Sequence, residues 1–281
     1  MKKYVLVLSC VDNVGIVSQL TKIIADFNLN IIHLDQHTTP TSKPMFFGRF
    51  ELQSKGERFN EFEFRSNVKV LMSTLDATWN LFCLDKPMNV GLLVSKSSHC
   101  LLEILHQYES RDLDITIDFV LSNHKDHESL VSHYKIPFYY VDSANKDIME
   151  AEILKYAKYT DVLVLARFMQ ILSESFIASY EPKKIINIHH SFLPSFKGAK
   201  AYHQAYKKGV KVIGATAHFV TTNLDEGPII NQMVDNVTHK DDVLSLQRKG
   251  KYLEKVGLVE AIKLYVEHRV IIWDNRTLVF N

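Results

Sequence analysis

Glycine is scarce in this chain, 10 in 281 residues, and the stretch Ser95–Cys100 (SKSSHC) has none. That stretch follows the apolar run Met88–Val94, where nucleotide- and phosphate-binding folds need a glycine-rich turn so that backbone amides can crowd around an anion. Its composition argues against a Rossmann dinucleotide site and predicts an ordinary helix cap at Ser97 or Ser98. Cysteine is nearly absent too. Cys10, Cys83 and Cys100 are scattered and form no CxxC pair, which suits a reducing compartment and gives no support for a thiolate metal site. The 13 histidines include no HExxH, and neither His124 with His127 nor His189 with His190 has a convincing third ligand nearby, so no metal is expected. No apolar run approaches the ~20 residues that cross a bilayer. The opening MKKYVLVLSCVDN ends its apolar run at Asp12 and Asn13, too early for a secretory signal. Neither sign of charge dominates: 33 Lys and Arg face 32 Asp and Glu, a formal net charge of +1, so no global basic field points to nucleic acid. A cytoplasmic protein with no nucleic-acid and no membrane partner is expected.

What is present is an ordinary globular composition, 46% hydrophobic and 23% charged, with length for about two domains. Tyr4–Ser9 is β-rich, and Ile16, Leu20, Ile23, Ile24 and Phe27 repeat at helical spacing. Strands follow at Ile31–Leu34 and Met45–Leu52, a helix at Phe59–Met72 and a closing strand near Thr78–Phe82. This order predicts a small α+β sandwich with helices on one sheet face. With the turn D-x-x-G-I at Asp12–Ile16, it resembles the ACT domain, a ferredoxin-like module that often binds amino acids. The resemblance implies an effector site at Asp12, Asn13, Gly15 and Ile16, with a small amino acid such as glycine or methionine as effector. Gly15 would let backbone approach the ligand, and the helix N-terminus would favour a carboxylate. A tight turn serving only packing or a dimer contact is the alternative. Such modules pair between subunits, so a homo-oligomer is expected.

Asp85-Lys86-Pro87 breaks the chain, giving residues 1–84 as an ACT-like regulatory domain and 85–281 as a second domain. There strands at Met88–Val94, Ile115–Leu121, Ile136–Val141 and Val162–Leu165 alternate with helices at Cys100–Tyr108, Asp147–Tyr159 and Ser173–Tyr180. Alternation of this kind predicts a doubly wound, mostly parallel α/β sheet. A long helix over Lys240–Glu267 and a hairpin around Asp274-Asn275-Arg276 complete it.

Chemistry gathers at Lys184–Pro194, KIINIHHSFLP. Ile185, Ile186 and Ile188 suit a buried strand, while Asn187 and His189 share one face at its end. Burying an unpaired amide and imidazole costs on the order of a few kcal/mol, so they need partners or a use. Three further stretches converge on this sheet edge. Leu165–Leu172 (LARFMQIL) can offer main-chain amides and an apolar wall to a flat heteroaromatic, or serve as plain core. Gly214–Val220 (GATAHFV) carries His218. In Thr221–Ile230 (TTNLDEGPII) Asp225 sits in a turn closed by Gly227-Pro228.

Together these motifs resemble the folate-dependent formyltransferase family over essentially all of Lys86–Asn281. The run NIHHSFLPSFKGAKAYHQAY, the closing VIIWDNRTLVF and the ACT-like start are similar to a member that passes the formyl group to water. This implies hydrolysis of 10-formyltetrahydrofolate to tetrahydrofolate and formate, the folate being substrate and no cofactor being needed. By the same resemblance Asn187, His189 and Asp225 are the catalytic trio and His218 supports them. Phe168, Met169, Gln170, Ile171 and Leu172 line a pterin slot, with main chain from Thr221 to Asp225 bonding the ring. The side chains suit formamide hydrolysis. Asn187 can donate to an oxyanion, His189 can stabilise it and move a proton, and Asp225 can orient His189. Either acid or imidazole can be the base, with Asp225 favoured. His190, Lys197, Lys200, His203 and Tyr206 follow the strand and could close the site. The missing glycines bear on the acceptor, because ribonucleotide formyltransferases hold its phosphate there. Formyl transfer to an amine, and a non-catalytic amino-acid sensor, stand as alternatives.

Overall fold

The computed structural model describes residues 1–55, 59–181, 184–195 and 201–280. The chain forms two compact units, Met1–Lys86 with Glu267–Arg269 and Phe280–Asn281, and Pro87–Val266 with Val270–Val279.

The first unit runs β1 (Lys3–Val11), α1 (Ile16–Asp26), β2 (Leu29–Thr38), β3 (Met45–Ser54), α2 (Glu61–Thr74) and β4 (Thr78–Cys83). All pairings are antiparallel, in the order β2-β3-β1-β4. Alternation on β1 buries Tyr4, Leu6, Leu8 and Cys10 on one face, where they meet Ile16, Leu20 and Ile24 of α1 and Phe64, Val68 and Leu71 of α2. Phe62 and Val70, although apolar, are exposed. Each lies two positions from Phe64 or Val68, far round a 3.6-residue turn. α2 starts after Asn60, whose side chain accepts a hydrogen bond from the Glu63 amide at 3.2 Å. The tail segment is held by Arg49, which donates from Nη2 to the Glu267 carbonyl at 3.0 Å, and by His268 stacked on Phe82 with ring centroids 3.6 Å apart.

The second unit continues β5 (Met88–Val94), α3 (His99–Ser110), β6 (Ile115–Ser122), α4 (Glu128–His133), β7 (Phe138–Tyr140), α5 (Lys146–Tyr156), β8 (Val162–Ala166), α6 (Glu174–Tyr180) and β9 (Lys184–His189). It ends with α7 (Ala201–Lys208), β10 (Val212–Phe219), β11 (Ile229–Asn236), α8 (Val243–Val266), β12 (Val270–Trp273) and β13 (Arg276–Val279). Seven strands form one sheet in the order β11-β10-β9-β8-β5-β6-β7, parallel from β9 to β7 and antiparallel at β10 and β11. Both faces are buried. On β8, Val162, Val164 and Ala166 enter one apolar cluster, Leu163 and Leu165 the other. The helices α4 and α7 were not expected from the sequence. Neither was the start of α3: Ser98 stands at the cap position, but its backbone is helical (φ −90°, ψ −20°) and no side chain caps the helix. A cap hydroxyl reaches the first amides from extended backbone, and here that geometry is missing. Among the described residues no helix is long and apolar enough to cross a membrane.

Candidate active site

Strand order changes direction beside β5, which pairs with β8 on one side and β6 on the other. Ligands of such sheets bind outside the carboxyl ends of strands near this point. Asn187 and His189 end β9 there, and β10 sets His218 directly opposite Asn187, so the three side chains share a face. The β10–β11 ladder slips between Ala217 and His218, a bulge that re-aims the imidazole. Asn187 Nδ2 lies 3.2 Å from His218 Nε2, and His218 Nδ1 lies 2.9 Å from the Phe219 carbonyl. A carbonyl only accepts, so Nδ1 carries the proton and Nε2 accepts from Asn187. That fixes the amide and leaves its second N–H available to the cleft that Asn187 lines.

The connection from β10 to β11 curls over this face and delivers Asp225. Gly227 makes that path possible, because a Cβ there would collide with the Phe219 carbonyl. Pro228 accepts from the Phe219 amide at 2.9 Å and closes the turn. Asp225 itself is left-handed (φ 56°), a conformation costing roughly 1–2 kcal/mol outside glycine. Its Oδ2 is 3.3 Å from His189 Nδ1, and its Oδ1 is 3.7 Å from His218 Nε2. The hydrogen bond from His189, then the His218 imidazole close by, hold its carboxyl far below the usual range despite opposing burial. His189 is buried, and its Nε2 has no hydrogen-bond partner among the described residues. A buried imidazole nitrogen left bare beside a cleft is poised for a ligand.

That cleft measures about 310 Å³, the lower end for small-molecule sites. Every residue expected to bind substrate lines it: Phe168, Met169, Gln170, Ile171, Leu172, His218 and Thr221. They differ in what they expose. Phe168 (1%) and Leu172 are rooted in the apolar core, whereas Met169 (63%) and Ile171 (61%) stand out from it. Arg167 and Met169 are left-handed as well, φ 65° and 61°; strain of this kind clusters at functional sites. On the same face, Thr216, paired with His189 across β9 and β10, takes hydrogen bonds from the Leu193 amide (3.0 Å) and Gln232 (3.1 Å) and donates to the Ser191 carbonyl (2.9 Å), fixing the chain that follows His189.

A second cavity, also about 310 Å³, shares Arg167 and His190 with the first. Burial, then the Arg167 charge and His189, bring the His190 imidazole down to about 4. Beside it Glu254 accepts from His99 Nε2 (2.8 Å) and the Tyr202 hydroxyl (2.7 Å) and faces Arg167 Nε at 3.3 Å. Sequence alone does not single out Arg167, His99 and Glu254. Glu254 hides beside Leu253 in the apolar stripe of α8; its spacing of four from Gly250 and eight from Leu246 is the available signal. His99, Cys100 and Glu254 bring three ligand-type atoms within 4.8 Å of one another. The carboxylate is already bonded to His99, and burial pushes the Cys100 thiol far up, so this is a hydrogen-bonded network. His203 and Tyr206 lie on α7, His203 lining the second cavity; Lys197 and Lys200 are outside the described residues.

Comparison with known proteins gives this geometry its setting. The Formyl transferase family matches residues 88–262 and the ACT domain residues 4–54. A formyltetrahydrofolate deformylase of Synechocystis is 44% identical over 279 residues, covering 98% of this chain and 97% of its own. One from Bacillus subtilis is 42% identical, covering 98% and 93%. The chain belongs to the formyltetrahydrofolate deformylase family. A crystal structure of a deformylase from Pseudomonas syringae superposes with a TM-score of 0.95 at 40% identity, over 100% of this chain and 95% of that one. The expected architecture, an ACT-like ferredoxin fold followed by a formyltransferase-type sheet, is therefore the deformylase architecture. In the candidate site described above, the carboxamide, imidazole and carboxylate come from β9 and the turn after β10, and meet at one wall of the cleft.

Proposed function

We propose that this chain hydrolyses 10-formyltetrahydrofolate to tetrahydrofolate and formate, with Asn187, His189 and Asp225 acting on the formyl group. The pterin occupies the cleft between Met169, Ile171 and Thr221, and the formyl carbon lies beside His189 Nε2. Water attacks that carbon while Nε2 takes its proton. The carbonyl electrons move to oxygen, where the free N–H of Asn187 meets them; a donor in this role contributes roughly 3–4 kcal/mol. Asp225 balances the imidazolium through Nδ1. Collapse of the oxyanion breaks the bond to N10, which takes the proton from Nε2; tetrahydrofolate leaves with formic acid, which gives its proton to water and becomes formate. Residue type alone favours Asp225 as the base. A carboxyl held so far down has little affinity for a proton near neutral pH, so the geometry favours His189, with Asp225 orienting it.

The observation that carries this reading is the buried, unpartnered His189 Nε2, backed by Asp225 at 3.3 Å and opening on the cleft. Purified protein given 10-formyltetrahydrofolate and no amine tests it. Formate released at a steady rate is expected; formyl transfer seen only with an added amine supports the transferase alternative. No turnover, together with no effect of Asn187→Ala or His189→Ala, supports a sensor without catalysis.

Residues 1–84 are assigned regulation and 85–281 catalysis in this reading. Gly15, left-handed at φ 89°, opens α1, which no side chain caps, and its free amides suit the carboxylate of glycine or methionine. Asp12 and Asn13 flank it in the turn, while the Ile16 side chain is buried in the core, leaving its backbone as the part that faces the ligand. The proposal includes a homo-oligomer acting in the cytoplasm; sedimentation with and without each amino acid examines both parts of the regulatory assignment.

A further inference from the structure

The cleft depends on an irregular segment, Arg167–Leu172, and we propose that two buried carboxylates, Glu254 and Glu150, are positioning residues that hold its two ends for the folate. This rests on the hydrolase reading above. The segment is neither helix nor strand, and two of its residues are left-handed. It alternates: Phe168 and Leu172 point into the core, Met169 and Ile171 into the open. The core anchors alone leave the ends undetermined.

At the front end Arg167 is turned toward Glu254, 1% exposed on α8. Glu254 is itself fixed from three sides, by His99 of α3, Tyr202 of α7 and Arg167. At the far end Glu150 of α5, also buried, accepts from the Ser173 amide at 2.6 Å and from the Ser173 hydroxyl. Ser173 then caps α6, accepting from the Phe176 amide at 3.1 Å. A buried carboxylate is poor glue between helices, since a well-packed apolar side chain does as well or better. Two of them, from different helices, converge on opposite ends of one cleft-lining segment. Such a pattern is expected where a backbone must be held in place for a ligand.

Full-length Glu254→Gln, Glu150→Gln and Ser173→Ala are compared with the parent for formate release, tetrahydrofolate binding by calorimetry, and thermal midpoint. The two Gln variants should raise KM for the folate by about tenfold with kcat within about threefold, the signature of lost ground-state positioning. Ser173→Ala should raise KM by about threefold, and Ser173→Thr, which keeps the hydroxyl, should restore it. KM unchanged in all variants overturns the proposal, as does a fall in kcat and midpoint at constant KM. If the Gln variants fail to fold, the Ala and Thr pair decides: equal KM overturns it. If the parent releases no formate the hydrolase reading fails separately. Tetrahydrofolate binding then decides, with weaker binding in the variants supporting the clamp and equal binding removing it.

Discussion

Two turns in this molecule invite comparison, the one after β1 and the one after β10. Each contains an aspartate and a left-handed residue, yet they are built differently. After β1 the left-handed position is Gly15, where the conformation costs little, and Asp12 and Asn13 are not buried. Asn13 accepts from the amide of Val14 at 2.8 Å, and the Asp12 amide donates to the Pro44 carbonyl. After β10 the left-handed residue is Asp225 itself, 13% exposed and facing two imidazoles. Strain placed on a half-buried charge, where glycine would have been easier, marks chemistry. A glycine turn of this kind carries no such strain, so nothing in it calls for the reaction chemistry of the other.

The largest test of this contrast exchanges each aspartate for asparagine. Asp225→Asn keeps the shape but can donate toward His189 Nδ1 and stabilise the wrong tautomer, and a loss of roughly 10³–10⁴ in kcat is expected. Asp12→Asn should leave kcat unchanged when no amino acid is added. Steady-state formate release measures both; comparable losses would erase the distinction. The glycines come next. Gly227→Ala drives a methyl into the Phe219 carbonyl, and about 1–3 kcal/mol of stability should go. Because the turn carrying Asp225 must shift, kcat should fall by about 10²-fold as well. Gly15→Ala meets only the Gln19 amide nitrogen at 3.4 Å, an ordinary contact. It should cost only the backbone strain, about 1–2 kcal/mol, with kcat unaltered. Denaturant midpoints beside kcat separate the two cases.

The same contrast explains what could be read in advance. Secondary structure was legible where periodicity was clean: Met88–Val94 coincides with β5, and the β1-to-β4 order follows alternating and helical spacing. Asn187 and His189 stand out in the sequence because polar groups interrupt an apolar strand, whereas Asp225, in a turn, is picked out only by the family resemblance. Ser98 looked like a cap by type, but capping depends on a backbone angle that residue identity does not set. Arg167, His99, Glu150 and Glu254 stayed hidden, since each meets a partner far away in sequence. His99 and Glu254 are 155 positions apart, and no local pattern pairs them.

A smaller effect concerns protons, and it probes one histidine in each unit. His190 and His268 are both held down at about 4, by burial first, with Arg167 and His189 adding for one and Arg49 for the other. An unfolded imidazole titrates near 6.5, roughly. Between that value and about 4 the unfolded chain binds protons that the folded chain refuses, so stability falls as pH drops through the window. Each histidine should cost about 1 kcal/mol by roughly pH 5.5. Asp225 does not interfere, since a depressed carboxylate keeps its full contribution above about 3.9 and loses it only below. His268→Phe retains a ring to stack on Phe82 and removes the titration. Urea midpoints followed from about pH 7 to pH 5 should therefore slope less steeply for His268→Phe than for the parent. His190→Phe should flatten the slope in the same way while also altering the cleft wall. Parallel slopes for parent and both variants would mean that these rings take up protons as freely folded as unfolded.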